Sequence, residues 1–139
     1  MTVYLKGWFL TYPMEHSFET YFENTLIFHS DNNWIFPLFE FEAFLKSGNF
    51  PAENLYVKDK IIGKAAAMLL VHFKIKHIHA KTLSQLGQEF LNQYHIMYTY
   101  DELIEKIYCQ TEILLSDISD TQIAYNLLKS RAEKSHNAI

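Results

Sequence analysis

Lys58-Asp59-Lys60-Ile61-Ile62-Gly63-Lys64-Ala65-Ala66-Ala67 is the stretch of this chain best equipped for chemistry. It reads as the end of a strand, a turn and the opening of a buried helix. A helix start presents N–H groups without intrahelical partners and about half a positive charge, so it attracts anions. Glycine in the first turns costs roughly 1 kcal/mol relative to alanine, and lysine stands where the dipole would favour Asp or Glu. Both features suggest a binding site. The block is not a nucleotide-hydrolysing P-loop. That motif needs glycine at position 58, where lysine stands, and Ser or Thr at position 65, where alanine stands. The competing explanation for Gly63 is close packing of the helix against a strand.

Other candidates are sparser. His77-Ile78-His79 places two imidazoles on one face of a strand, but a third ligand at a recognisable spacing is missing, so no metal set is assigned. Cys109, the single cysteine, is a candidate nucleophile, with Lys106 the nearest cation in sequence. Buried inert cysteine is the simpler reading. Glu40, Glu42 and Glu112 are acid–base candidates, although acids on helices are mostly solvated surface.

The chain has 139 residues and is expected to form one domain, with nearly half its residues apolar. No apolar run approaches the roughly 20 residues of a membrane span, and the start lacks the features of a secretion signal. One cysteine fits a reducing, cytoplasmic setting. The net charge is −4, but residues 58–81 hold six lysines and one acid. That distribution suggests a positive face for an anionic ligand. Nucleic acid is not expected, because the chain is acidic overall and Arg131 is its only arginine.

The elements that must position these residues follow from periodicity. Residues 1–24 read as an N-terminal arm with a short helix over Ser17–Asn24, where Phe18, Tyr21 and Phe22 share a face. Thr25–His29 and Trp34–Phe36 read as a hairpin around the turn cluster Ser30–Asn33. A helix follows from Leu38 to Lys46. Then come a short strand at Leu55–Val57, an apolar helix over Lys60–Phe73 and a strand at Ile75–Ala80. Thr82 with Gln85 forms a capping box for the next helix. Ile96–Tyr100 is a strand, Asp101 caps a helix to Tyr108, and Ser119 with Gln122 opens a last helix to Glu133. Strands alternating with helices predict an α/β domain with a largely parallel centre and an antiparallel edge. The core spans residues 25–115, and residues 116–139 form a C-terminal helix and tail.

Four segments together resemble domain-of-unknown-function family 1893. They are Trp34-Ile35-Phe36-Pro37-Leu38, the block Asp59–Ala67, the segment from Ile78-His79-Ala80 to Leu83-Ser84, and Cys109-Gln110-Thr111-Glu112. The resemblance covers roughly residues 25–115. It implies a cytidine-deaminase-like, three-layer α/β/α sandwich with a cleft at the start of the two central helices. Deaminases place His-x-Glu or Cys-x-Glu at the first helix and Pro-Cys-x-x-Cys at the second to hold zinc. Here those places read Lys58-Asp59-Lys60 and Thr82-Leu83-Ser84-Gln85. Zinc-dependent deamination is therefore not expected, and neither a metal nor another cofactor is assigned. Relatives carry Cys-Pro-x-Glu where this chain has Gln110 after Cys109. The expected function is binding of a small anionic ligand, a nucleotide or phosphorylated metabolite. Lys58 and Lys64 would supply charge, Gly63 close approach, Asp59 a cap or a bond to a ligand hydroxyl, and Ser84 a contact from the second helix. The alternatives are an enzyme using Cys109 with Glu112, or a structural, homo-oligomerising module.

Overall fold

Five strands form one mixed sheet in the order β2-β1-β3-β4-β5. They are β1 (Phe18–Phe22), β2 (Thr25–Ser30), β3 (Tyr56–Ile62), β4 (His77–Ser84) and β5 (Met97–Ile104). The helices are α1 (Phe36–Leu45), α2 (Lys64–His72), α3 (Gln85–Asn92), α4 (Gln110–Leu114) and α5 (Thr121–Asn137). This computed structural model describes residues 13–107 and 110–137. The protein is of the α/β class, as expected.

The antiparallel edge is a hairpin, but not the one expected from the sequence. Residues 18–22 form β1, not a helix, and β2 is its partner. The spacing of Phe18, Tyr21 and Phe22 fits a helix, yet the same segment alternates Phe18-Glu19-Thr20-Tyr21, which fits a strand. Glu23 and Asn24 decide between them. Both adopt positive φ, 48° and 70°, which makes the two-residue turn whose twist suits a hairpin. Trp34 is not in a strand: it adopts φ 61°, and α1 begins two residues later with Pro37 in its first turn.

β3, β4 and β5 are parallel, and each crossover carries a helix. Both crossovers step in the same direction along the sheet, so right-handed connections put α2 and α3 on the same face. α1 joins them there, with Phe41 packed on Phe18 at a ring distance of 5.1 Å and on Phe73 at 6.3 Å. α5 closes over α2. Its Ala124, Leu128 and Ala132, at i, i+4 and i+8, are buried, and Tyr125 stacks on His72 at 4.8 Å. Ala65 to Leu70 are therefore buried without interruption, as the all-round apolar pattern of that helix requires. A Schellman end terminates α2: Ile75 N–H donates to the Leu70 carbonyl and Lys74 N–H to that of Val71, with Lys74 at φ 71°. Among the described residues, no helix is long and apolar enough to cross a membrane.

Several boundaries shift, and the shifts matter for the site. Lys58, Asp59 and Lys60 lie within β3, and the helix starts only at Lys64. Thr82 lies in β4; the cap of α3 is Ser84, whose Oγ accepts from Gly87 N–H at 3.0 Å. Asp101 lies in β5 and caps no helix. The cap of α5 is Asp120, which accepts from the N–H groups of Gln122 and Ile123 at 2.8 and 3.1 Å. Pairing with neighbouring strands carries these segments on as strand beyond their apolar runs. The first twelve residues of the expected N-terminal arm and Cys109 fall outside the described residues.

The starts of α2 and α3 meet backbone to backbone. A Cβ on Gly87 would lie 3.1 Å from the carbonyl carbon and oxygen of Gly63 and from the Ile62 oxygen. Glycine at position 87 thus sets how near the two helices approach. Gly87→Ala is expected to destabilise the fold by about 1–3 kcal/mol, although alanine has the better helix propensity. A urea midpoint equal to or above wild type would show that the neighbouring backbone yields without cost.

Candidate functional site

Gly63 closes β3 and caps α2 in extended conformation, with φ −99° and no capping side chain. The space beside it is filled from elsewhere in the chain. A Cβ on Gly63 would lie 2.2 Å from Glu112 Oε2 and 3.0 Å from Ile107 Cδ1. Glu112 projects from α4 and is only 4% exposed. Its carboxylate thus rests directly on the first residue before α2, where the helix dipole favours negative charge. The other oxygen, Oε1, is buried and has no hydrogen-bond partner among the described residues.

A cavity of about 230 Å³ opens over this floor. Its lining includes Gly63 and the polar side chains of Glu112, Asp59 and Thr111, together with the apolar Trp34, Ile35 and Ile107. Lys60, Ser17 and Asn32 also line it. Trp34 stands here because its left-handed backbone turns the chain between β2 and α1. That conformation costs a bulky residue about 1–2 kcal/mol, and such strain is concentrated at functional sites.

Asp59 and Lys58 part company in this structure. Paired residues of neighbouring strands share a face. Asp59 pairs with Phe18, which packs on α1, so Asp59 faces the helices and the cavity. Lys58 pairs with Glu19 and His79 and points to the opposite face. Burial pushes the half-buried Asp59 carboxyl up to about 7, against hydrogen bonds from the Ile61 and Lys60 backbone.

On the opposite face, Glu19, Lys58 and His79 form a buried row across three strands. Glu19 accepts from Tyr21 Oη–H at 2.9 Å. His79 lies 2.7 Å from Thr99 Oγ1 through Nδ1 and 3.1 Å from Asp101 through Nε2. Desolvation lowers the pKa of Lys58 and of His79, while the nearby acids Glu19 and Asp101 oppose it for Lys58, and Asp101 for His79.

Of the residues singled out from sequence, the structure therefore gathers Asp59, Gly63 and Glu112 into one cavity. Lys58 does not belong to it. Lys64 does not line it either: its Nζ donates to the Ser116 carbonyl at 3.1 Å and ties α2 to the segment before α5. Ser84 is fully buried as the cap of α3. Cys109 lies outside the described residues. Trp34, Lys60 and Ile107 were missed as site residues. A tryptophan beside Asn32-Asn33, where αL conformations are common, was the one available signal for the first.

The family model described as Domain of unknown function (DUF1893) matches residues 14–131. Among solved structures, the chain is similar to a DUF1893 family protein (TM1506) from Thermotoga maritima, known from a crystal structure at 2.70 Å resolution. The two are 28% identical with a TM-score of 0.74, over 91% of this chain and 86% of that one. A search of the curated proteins found no match.

Two measurements probe the site's construction. Gly63→Ala is expected to cost about 1–3 kcal/mol in the wild type and at least about 1 kcal/mol less in a Glu112→Ala background, because the clash partner is gone. Additivity of the two changes would remove the Gly63–Glu112 contact from the account. The raised Asp59 pKa gives a second test. Between pH 3.8 and about 7 the unfolded carboxyl ionises while the folded one keeps its proton, so folding loses stability as pH rises through that window. Denaturant unfolding of Asp59→Asn should therefore show a growing advantage over wild type from pH 4 to 7 and a constant one above. A pH-independent difference would contradict the buried, protonated carboxyl.

Proposed function

The chain belongs to the DUF1893 family, and on that premise we propose that it binds a small metabolite in the cavity at the start of α2. The observation that carries the reading is the buried Glu112 carboxylate on the cavity floor, with Oε1 lacking a partner among the described residues. Leaving a buried acceptor unsatisfied costs about 1–3 kcal/mol, and more when it is charged, so a donor from a ligand accounts for its retention.

The arrangement sets the polarity of the ligand. The helix start is already neutralised by Glu112, and Asp59 lies in the same cavity. A phosphate placed there would meet two carboxyls. The inner end of the ligand is instead neutral and donor-bearing, such as an amide or the amino edge of a heterocycle, and Trp34 supplies a flat wall. Pockets for drug-sized ligands measure roughly 300–1,000 Å³. At about 230 Å³ the cavity holds a ring-sized fragment and leaves the rest of the molecule at the mouth. An anionic group there meets the exposed Lys60. A nucleotide or phosphorylated metabolite entering neutral end first fits all of these features.

We place the fold nearest the cytidine-deaminase-like sandwich. The mixed sheet with its antiparallel hairpin and the meeting of two helix starts support that placement. Those starts read Gly63-Lys64-Ala65-Ala66 and Ser84-Gln85-Leu86-Gly87, without the His or Cys ligands of hydrolytic deaminases. Binding, not zinc-dependent deamination, is the activity proposed.

A thermal-shift panel of nucleobases, nucleosides, nucleotides and sugar phosphates tests the reading. A ligand at a hundred times its Kd adds about 2.7 kcal/mol of stability. Glu112→Gln is expected to abolish the shift, and Lys60→Ala to weaken phosphorylated ligands only. If no compound stabilises wild type more than Glu112→Gln, the proposal fails.

A further inference from the structure

The bend before β1 and the end of β2 bring together His16, His29 and Asp31. Each offers one ligand atom, and the three atoms lie within 4.8 Å of one another. We propose that these residues bind a divalent transition-metal ion of the zinc type, with water in the remaining positions.

The ligand atoms already lie close together. Three atoms this close share a centre no more than about 2.8 Å from each, and zinc bonds to nitrogen and oxygen are about 2.0–2.2 Å long. Shifts of less than about 1 Å bring all three atoms into bonding distance, and a side-chain rotation of one imidazole orients its nitrogen. His16 Nδ1 already lies 2.8 Å from Asp31 Oδ1, so metal binding exchanges that hydrogen bond for two coordinate bonds. The imidazoles of His16 and His29 stack at 3.9 Å with 21° between their planes. Ring nitrogens bind a metal in the plane of the imidazole, so one ring must rotate out of this stack for both to hold the same ion.

The frame beneath the cluster is held in place, as a metal site requires. Glu19 Oε2 accepts from the backbone N–H groups of Glu15 and His16 at 3.0 and 3.1 Å, which fixes the bend carrying His16. The Ser17 hydroxyl lies 2.9 Å from the Ser30 carbonyl and 2.6 Å from that of Asn32, which ties the two arms on either side of Asp31. Two imidazoles and one carboxylate suit zinc, cobalt or nickel, whereas magnesium and calcium prefer oxygen ligands throughout. His29 and Asp31 are exposed and His16 partly so, which leaves room for water.

Positions 16, 29 and 31 form no spacing motif in the sequence; only the hairpin unites them. His77 and His79, on one strand face, make no such set, since both ring nitrogens of His79 face Thr99 and Asp101. None of the three ligand residues lines the cavity, although Ser17 and Asn32 border both.

The test is calorimetric titration of the tag-free chain with Zn²⁺, with Mg²⁺ in parallel, on wild type, His29→Ala, Asp31→Asn and His77→Ala. One Zn²⁺ per chain is expected. His29→Ala and Asp31→Asn should each weaken it at least tenfold, with far-UV circular dichroism unchanged, and His77→Ala should leave it as in wild type. The assignment is overturned if wild type takes up no Zn²⁺, if either His29→Ala or Asp31→Asn binds it as tightly as wild type, or if Mg²⁺ binds equally well.

Discussion

Close approach of two helix starts is the constraint on which the rest of this structure depends. Gly63 and Gly87 let the N-terminal turns of α2 and α3 touch through backbone atoms. A side chain at Gly87 would press on the Gly63 and Ile62 backbone and hold the helices apart. Gly63 then takes a second burden, because the space a Cβ would fill is occupied by the Glu112 carboxylate. Helix start, glycine and carboxylate form one unit: the dipole that a ligand anion would satisfy is satisfied by the protein's own acid. What remains for a ligand is the outer side of that carboxylate.

Strand alternation imposes the second division. Adjacent residues of β3 serve different purposes because they point to opposite faces. Asp59 faces the helices and the cavity, while Lys58 joins Glu19 and His79 on the other side. A buried lysine is tolerable only with partners, and the acids Glu19 and Asp101 act on it electrostatically. The lysine-rich stretch over residues 58–81 thus does not make one positive face. Lys58 is buried behind the sheet, Lys64 holds the Ser116 carbonyl, and Lys60 alone of these three lines the cavity.

The readable parts of the sequence were those where one physical requirement acts alone. The apolar run of α2 could only be a covered helix, and the alternation of helices and strands between residues 55 and 104 could only build parallel crossovers. Errors arose where two patterns competed. Phe18-Glu19-Thr20-Tyr21-Phe22 satisfies both a helix and a strand period, and two positive-φ residues at Glu23 and Asn24 resolved it. Lys58-Asp59-Lys60 and Asp101 resemble helix openings locally, yet both are strand residues because pairing with neighbouring strands outweighs capping propensity.

The sequence by itself determined the α/β class, the apolar helix at the centre and the importance of Gly63, because local periodicity and the cost of glycine are properties of short segments. Tertiary structure alone decided what surrounds Gly63. Glu112 reaches it from 49 positions away along the chain, and Gly87 from 24. His16 meets Asp31 only because a hairpin folds between them. Contacts of that kind depend on which strands pair and which helices approach, and the energy that selects those pairings is spread over the whole core, not written at either end of the contact.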